Sequence, residues 1–314
     1  QKILSHMRKA IEEYNMIENM ELVKELGAGA TISQTAKLYK THDMIEYTTD
    51  SELAYADLIN ATLALNIASE FYDVCCAVFV KNNTLTATAL GATIFDAFKN
   101  AIDCNPIDSI CGVVVLTKEV NVDIARLLTS QHIVLAPEFS KEAINVLEIN
   151  KVKYVKINTP LKDYKNYLQE EITLTPFGTI VQDVNKKELD KDSFKVVSKL
   201  KPTVEQIEDA IFAWKISKYL KSSAIVVAKD FKTVGISQGL QSNASEYALN
   251  IACDNAKDAV LATDVPLTMH DLNTAVQCRV KLIIQPGVVQ DVLKQADKFE
   301  MSMITTGISN FSLN

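Results

Sequence analysis

The sequence has few of the residues that build two kinds of site, metal-binding cysteines and phosphate-binding arginines. Its six cysteines include no C-x-x-C pair, and the four histidines are far from them along the chain, so the spacing of a zinc site is missing. We therefore expect no metal, and reduced cysteines buried in the core. Only three of the 32 lysine and arginine residues are arginines, although the planar arginine fork is the usual ligand of a phosphate group.

Long hydrophobic runs and basic stripes are also missing. No stretch of 18 apolar residues occurs, whereas a membrane-spanning helix needs about 20. The first residues, "QKILSHMRKAIEEY", carry too many charges for a secretory signal. The formal net charge is −7, and a nucleic-acid-binding surface requires clustered basic residues. These absences predict a cytoplasmic protein whose partners include neither a membrane nor nucleic acid.

What is present is one pattern of helices and strands that occurs twice, in residues 58–157 and 205–306. Each half begins with an apolar-periodic helix and a strand, "CCAVFVK" or "SSAIVVAK", and continues with a polar turn, a second strand and further helices and strands. The offset between matching residues is nearly constant, from Ala77 to Ala224 and from Pro137 to Pro286. Such a constant offset indicates an internal repeat.

The alternation of short apolar strands with helices predicts an α/β protein. We expect two copies of one three-layer unit, packed together, in which helices cover both faces of a buried sheet. Residues 158–202 are interpreted as the connector, with an added strand in "TPFGTIVQDV". Residues 1–35 predict one helix and a loop around "LGAGATIS". Thr203 and Gln206 predict a capping box at the first helix of the second half.

Several segments resemble one known family. They are "VKNNTLTATALGATIFDAF", "CNPIDSICG", "TIVQD", "KPTVEQIEDAIFAWKISKYLKSSAIVVAKDFKTVGISQG", "ATDVPLTMHD", "LIIQPG" and "ITTGISNF". In order and spacing they are similar to the formyltransferase half of the bifunctional AICAR transformylase/IMP cyclohydrolase family. The similarity covers residues 47–314, and we expect no cyclohydrolase half in the residues before it.

The resemblance implies a fold, a pathway and an assembly. The formyltransferase half of the family contains two cytidine-deaminase-like α/β units, which places a first unit at 47–170 and a connector with a second unit at 171–314, after an N-terminal helix and loop at 1–46. It implies a role in purine biosynthesis, with 10-formyltetrahydrofolate as cosubstrate if the activity persists. It also implies a homodimer whose active site is completed across the interface, and a small nucleotide as ligand.

The first family motif follows the strand "AVFV". In the family this loop reads Lys-His, a small residue, Asn or Ser, Pro and Gly, and the histidine takes part in proton transfer. Here Lys81 remains as a relic, while Asn82 stands at the histidine position. An amide cannot take up and release a proton near neutral pH, whereas imidazole can. A strand that ends in polar residues often faces a ligand, so this segment is either the rim of a site or what is left of one.

The second half shows the same kind of loss in two motifs. The family's Lys-Ser-Asn, whose asparagine holds the formyl group, appears as Lys221, Ser222 and Ser223. Its G-x-G-x-G-Q-x-S-R loop appears as residues 235–243, with Asn243 at the arginine.

Two further motifs lose their phosphate ligands. The family's Ser-Asp-Ala-Phe-Phe-Pro-Phe-Arg-Asp appears as residues 263–271, which keep Asp264 but have His270 at the arginine. The C-terminal Arg-His-Phe appears as residues 309–311, with Ser309 in place of the arginine. The resemblance makes Lys221, Ser222, Ser223, Asp264 and His270 candidate ligand-binding residues. The alternative interpretations are a helix N-cap for Asp264 and a surface histidine without a role for His270.

Three functions fit these residues. The chain is a structural or regulatory relative of AICAR transformylase with weak or no activity, acting with a protein partner that the sequence does not name. Alternatively it is an active formyltransferase that uses 10-formyltetrahydrofolate in a rebuilt site. As a third alternative it binds another small ligand in the same cleft. The joint loss of a proton acceptor, an amide and the phosphate ligands favours the first.

Overall fold

The computed structural model describes residues 20–40, 44–167, 170–189, 194–239 and 243–313. They form an α/β fold, as predicted, around one mixed sheet of twelve strands. The strands are Leu22–Glu25 (β1), Lys37–Tyr39 (β2), Tyr47–Thr48 (β3), Cys75–Lys81 (β4), Thr84–Gly91 (β5), Gly112–Leu116 (β6), His132–Ala136 (β7), Lys153–Ile157 (β8), Glu170–Thr175 (β9), Gly178–Asp183 (β10), Lys195–Val196 (β11), Ile225–Lys229 (β12), Lys232–Ser237 (β13), Val260–Thr263 (β14), Leu282–Gln285 (β15) and Ser302–Thr305 (β16). The α-helices are Tyr55–Ser69 (α1), Ile94–Cys104 (α2), Val122–Leu127 (α3), Lys141–Ile149 (α4), Val204–Ser217 (α5), Ala244–Ala252 (α6), Met269–Gln277 (α7) and Gln290–Lys298 (α8).

The order of the strands repeats about the centre of the sheet. It reads β11-β16-β15-β14-β12-β13-β5-β4-β6-β7-β8-β3. The central strand of each half pairs with its hairpin partner on one side and with an antiparallel strand on the other, and two parallel strands follow outward. The segments "AVFV" and "AIVV" therefore lie on equivalent strands, β4 and β12, as the repeat predicts. Descent of both halves from one duplicated unit remains a prediction.

The two halves are joined edge to edge through a strand pairing that the expectation of two packed units did not specify. Strand β13 lies antiparallel to β5, with Lys232 opposite Ala89. The hydroxyl of Thr233 accepts a hydrogen bond from the amide of Thr88 at 2.9 Å and donates to its carbonyl at 3.1 Å. The sequence did not reveal this joint because both strands also read as ordinary hairpin strands.

Helices cover both faces of the sheet. Helices α1 and α5 lie on one face, over a single apolar core that takes residues from both halves. Phe71 and Phe212 meet within it, with ring centroids 5.3 Å apart, and Trp214 is buried there. On the other face, α2, α3 and α4 cover the first half and α6, α7 and α8 cover the second, over two separate cores.

The starts of the helices follow local sequence signals. The Thr203 hydroxyl accepts a hydrogen bond from the Gln206 amide, and the Gln206 side-chain oxygen accepts one from the Thr203 amide, so the predicted capping box is confirmed. The pair Thr268 and Asp271 caps α7 in the same way. A reciprocal cap satisfies amide groups that the first helical turn leaves unpaired.

The segments outside the large sheet differ in part from expectation. The predicted loop lies in a hairpin of β1 and β2 at residues 22–39, so a strand precedes it. The helix predicted before that loop falls on residues 1–19, outside the described residues. The strand predicted in "TPFGTIVQDV" exists as β10, paired with β9 in a separate hairpin. Within the described residues, no helix is long and apolar enough to cross a membrane.

The cysteines are free thiols, but not all of them are buried as expected. Cys76 is fully buried, whereas Cys253 is exposed where α6 ends. Within the described residues, no three His, Cys, Asp or Glu side chains are grouped so that they could hold a metal ion.

A glycine sets the distance between α6 and the sheet. A Cβ atom on Gly235 would lie 2.1 Å from the carbonyl oxygen of Ala248, so the Gly235→Ala variant must push the helix away. We expect the free energy of unfolding to fall by about 1–3 kcal/mol in urea denaturation. Gly287→Ala is the control, since its Cβ meets nothing within 4 Å, and its effect should stay within about 0.5 kcal/mol. Equal effects of both substitutions would contradict this account of the packing.

Candidate functional site

The candidate residues of the two halves meet at one edge of the sheet. Strand β4 ends at Lys81, β14 ends just before Asp264, and β12 begins just after Ser223. Because β4 and β14 run in the same direction and β12 runs against them, these three positions lie at the same edge. Strands β4 and β12 are three positions apart in the sheet, which corresponds to roughly 14 Å.

The segment after β4 is a tight turn. Asn82 and Asn83 have φ angles of 53° and 54°, the left-handed conformation that a two-residue hairpin turn requires and that asparagine tolerates. Both residues are exposed, and the Asn83 amide donates to Oδ1 of Asn60 at 2.6 Å. The polar cluster at this strand end is therefore explained by a turn, and Asn82, which the resemblance places at the family's histidine position, is a turn residue.

The matching turn of the second half has the same construction. Asp230 and Phe231 have φ angles of 52° and 56°. Both of their amides donate to the carboxylate of Asp209, at 2.9 and 2.7 Å. Because each half ties its turn to its long helix through a side-chain oxygen, the arrangement around Asn82 serves the scaffold.

Lys81 is held by an acidic neighbour. Its Nζ lies 3.3 Å from Oδ1 of Asp108, and hydrogen bonds to Asp108 and then to Cys111 raise the pKa of the Lys81 ammonium. Asp108 is positioned in turn by reciprocal hydrogen bonds with Asn105. A lysine with a raised pKa stays protonated near neutral pH, so it can orient an anion but cannot act as a general base.

Asp264 ties three chain segments together. Its carboxylate accepts hydrogen bonds from the Ser222 hydroxyl and, at 2.8 Å, from the Ala224 amide. The Ser222 hydroxyl also accepts from the amide of Ser312 in the C-terminal segment at 2.8 Å, and the Ser222 amide donates to the Ser312 carbonyl at 2.9 Å. Burial raises the pKa of Asp264, although these donors oppose the shift. The N-cap interpretation is wrong, because the cap of α7 is Thr268.

In the first half, an uncharged residue binds the start of the central strand. Thr117, the residue after β6, accepts from the Cys76 amide at 2.9 Å and donates to the Val74 carbonyl at 2.6 Å. Thr117 and Asp264 thus occupy equivalent positions and both hold the start of the central strand. The equivalence with Thr117 gives Asp264 a structural role that needs no ligand.

The remaining candidates, Lys221, Ser223 and His270, do not all lie at this edge of the sheet. Lys221 lies beside Gln238, whose Oε1 accepts from the Lys221 amide at 3.4 Å, and Ser223 is half-buried between Ser222 and β12. His270 is exposed on the first turn of α7, where its carbonyl accepts from Thr274. The structure thus brings Lys221, Ser222, Ser223 and Asp264 together, while His270 projects from the helical layer.

Sequence reasoning missed the residues around a cavity of about 780 Å³ between α1, the end of α5, the β9–β10 hairpin and the C-terminal segment. Beside it, the buried Glu70 carboxylate contacts the Tyr219 hydroxyl at 2.6 Å, Lys165 Nζ at 2.9 Å and Lys218 Nζ at 3.8 Å. We call these four residues the ionic cluster. They come from three distant segments, and only Lys218 and Tyr219 lie in a segment that resembles the family, just before its Lys221-Ser222-Ser223 motif.

Burial and neighbouring charges both shift pKa values in the ionic cluster, in opposite directions for the two lysines. Burial lowers the pKa of Lys218, and the carboxylate of Glu70 opposes that shift only in part. Burial also acts to lower the pKa of Lys165, but hydrogen bonds to Glu188 and Glu70 outweigh it and raise the value. The pKa of Tyr219 is raised by burial and by Glu70. The cavity therefore has a wall of fixed, mutually paired charges that a polar ligand could contact.

Comparisons with known proteins agree with this architecture. A family model described as "AICARFT/IMPCHase bienzyme" matches residues 1–254. This chain belongs to that family. "Bifunctional purine biosynthesis protein PurH" of Fusobacterium nucleatum is 35% identical over 271 residues, which cover 83% of this chain and 52% of that protein. The protein of the same description from Caldicellulosiruptor saccharolyticus is 32% identical over 311 residues, or 93% of this chain and 60% of that protein.

The matches cover only part of each relative, so the relatives' activities cannot be assigned to this chain from the matches alone. The chain spans about half the length of the curated AICARFT/IMPCHase relatives, 52% of the Anoxybacillus flavithermus protein at 33% identity. Among solved structures, Acinetobacter baumannii RibD aligns with 31% of this chain and 33% of that chain, at 17% identity and a TM-score of 0.24, which is too low to bear on the fold. Family membership is therefore established, while the activity of this chain is a separate question.

The burial of Asp264 predicts a particular pH dependence of stability. Its folded-state pKa is raised above the unfolded value of about 3.9, so between these values the folded state binds more protons than the unfolded state, and stability falls as pH rises. We expect the stability of the wild type relative to Asp264→Asn to decrease as the pH rises from about 4 through the raised pKa. Urea denaturation at a series of pH values measures this.

The control for that series is Asp291→Asn, which removes a carboxylate from the exposed first turn of α8. It should show no comparable decrease. A flat or rising difference for Asp264→Asn would mean that the hydrogen bonds to its carboxylate outweigh burial.

Proposed function

We propose that this chain is an AICAR-transformylase-like protein of purine biosynthesis that has kept the scaffold and has weak or no formyltransferase activity. The proposal includes a cytoplasmic setting and a structural or regulatory role. The observation that carries it is the tight turn at Asn82, the position at which the resemblance places the family's histidine. A proton acceptor at that position is essential to the family reaction, and neither residue of the turn supplies one.

No other described histidine takes over the task. His132 is buried, accepts from the Thr129 amide through Nδ1 at 3.0 Å and donates from Nε2 to the Ser109 carbonyl at 3.0 Å. His270 is exposed on α7. With both ring nitrogens of His132 engaged inside the fold, neither imidazole supports proton transfer at the sheet edge.

The groups that remain at the edge are already used by the scaffold. Lys81 is paired with Asp108, and Asp264 is occupied by Ser222 and Ala224. Two of the three arginines, Arg126 and Arg279, lie in α3 and after α7, away from the motifs that the family uses for phosphate. This supports a protein that retains the architecture without the transition-state contacts on which catalysis depends.

We expect no appreciable formation of formylated AICAR with 10-formyltetrahydrofolate as donor. Turnover should lie far below the ~10 s⁻¹ of a typical enzyme. Asn82→His should not restore it, because residues that act as one catalytic unit are strongly non-additive. A family member that keeps the histidine serves as the positive control. Turnover within about tenfold of the typical value would refute the proposal and favour the active formyltransferase with a rebuilt site.

The proposal also includes a homodimer, and the β9–β10 hairpin is the surface that supports it. Ile172, Leu174 and Phe177 are 61%, 74% and 102% exposed, and every residue of β10 is exposed. A two-stranded hairpin is marginally stable by itself, and contiguous exposed apolar side chains usually mark an interface. A second copy of the chain is the partner that the family resemblance favours.

We expect Phe177→Asp to shift the protein toward the monomer in light scattering at micromolar concentration, because a carboxylate cannot be buried unpaired in an apolar interface. Ile149→Asp is the control, since Ile149 is equally apolar and 78% exposed but lies on α4. A wild type that is monomeric, or a dimer unaffected by Phe177→Asp, would contradict this arrangement.

A further inference from the structure

Lysines gather around another cavity, which adjoins the ionic cluster. It has a volume of about 390 Å³ and lies between the end of α1, the segments that follow β8 and β10, and the end of α5. We call it the lysine pocket. The charged residues that line it are three carboxylates, Glu70, Asp73 and Glu188, and five lysines, Lys162, Lys165, Lys187, Lys215 and Lys218. The lining therefore has a formal charge of +2, whereas the whole chain carries −7.

The carboxylates of the pocket do not balance the lysines evenly. Glu70 and Glu188 both contact Lys165, at 2.9 and 2.8 Å, while Lys218 has only the longer contact to Glu70, at 3.8 Å. The other hydrogen-bond acceptor of the Lys218 ammonium is the uncharged carbonyl of Lys187, at 3.3 Å. The Lys218 side chain is 10% exposed, and a buried ammonium without a full counter-charge is destabilising. An anion in the pocket would supply that counter-charge.

The remaining three lysines have no carboxylate partner. Among the described residues, the ion pairs of the pocket are those of Lys165 and Lys218. The Lys215 ammonium donates to the Glu70 carbonyl at 3.2 Å and lies 5.4 Å from the centre of the Phe71 ring, so both contacts are with neutral groups. The lysines belong to three chain segments that are distant in sequence. The fold, and not a charged run in the sequence, therefore creates the excess of positive charge.

These features suit a small anion with several oxygen atoms. Lysine ammonium groups bind phosphate-type oxygens as point charges, through charge-assisted hydrogen bonds. A ligand charge of −2 would neutralise the lining. The volume of about 390 Å³ lies within the range of roughly 300–1,000 Å³ that is usual for small-molecule sites.

We propose that the lysine pocket binds a phosphate-type dianion, either a free inorganic ion or a phosphate ester, between Lys187, Lys215 and Lys218. None of the candidate residues at the sheet edge lines this pocket, and the inference stands whether or not the chain transfers a formyl group. Glu70 follows α1 of the first half, and Lys215 lies on α5 of the second. A bound anion therefore strengthens the contact between the two halves.

The test is calorimetric titration of the full chain with inorganic phosphate and with pyrophosphate, at low ionic strength. At least one should bind with a Kd below about 1 mM and raise the melting temperature, because a ligand of the folded state stabilises it. Sodium chloride at equal ionic strength should do neither. Glycerol phosphate distinguishes the two sources of the dianion, since tighter binding than inorganic phosphate identifies an ester and weaker binding identifies a free ion.

Two substitutions in the pocket should act in opposite directions. Lys187→Gln should weaken binding by roughly three- to tenfold, the equivalent of one lost hydrogen bond to the anion. Glu188→Gln should tighten binding by roughly two- to fivefold, because it removes a repelling carboxylate and releases Lys165 from one of its two partners. A purely structural role of Glu188 would not produce tighter binding.

Lys141→Gln is the matched control, since Lys141 is an exposed lysine on α4 that does not line the pocket. Its loss should leave the Kd unchanged. Lys221→Gln identifies binding at the sheet edge. The proposal is overturned if neither anion binds at about 1 mM, or if Glu188→Gln weakens binding. It is also overturned if Lys141→Gln or Lys221→Gln weakens binding as much as Lys187→Gln, because the attraction would then be non-specific or centred at the sheet edge.

Discussion

The antiparallel joint of β5 and β13 is the contact on which the rest of the architecture depends. The hydrogen bonds across it include the two that Thr233 exchanges with Thr88, and one from the Leu90 amide to the Phe231 carbonyl at 3.0 Å. It turns two six-stranded sheets into one of twelve strands. Because the sheet is continuous, α1 and α5 share a single core, and the opposite face is left with an open groove where the halves meet.

The shared core explains why a charged group is buried at its margin. Glu70 follows α1 and is 8% exposed, and an isolated carboxylate would be strongly destabilising there. Its partners Tyr219 and Lys218 follow α5, the equivalent helix of the other half. A buried ion pair adds little net stability, but removing one member is costly. The ionic cluster therefore makes the correct relative placement of α1 and α5 a condition for burying Glu70.

The parts that could be predicted from the sequence are those encoded locally. The cap at Thr203 and the repeated strand order depend on residues near one another in the chain or on a pattern counted along it. The joint could not be predicted, because pairing between β5 and β13 depends on which strand edges remain open after each half has folded. Asp264 and Ser222 were found only through a family motif. Their structural role is indicated by Thr117, which accepts a hydrogen bond from an amide at the start of the equivalent strand in the first half.

Equivalent positions in the two halves show why retained polar residues are weak evidence for catalysis. Asn60 and Asp209 each bind the amides of a tight turn, and Thr117 and Asp264 each bind the start of a central strand. In each pair the chemical group differs while the structural task is the same. The scaffold alone is a reason to keep such a residue, because removing it would leave the amides that it binds without that partner. What distinguishes a working site is a group that the scaffold does not need, and the proposal of weak or no activity depends on the absence of such a group at Asn82.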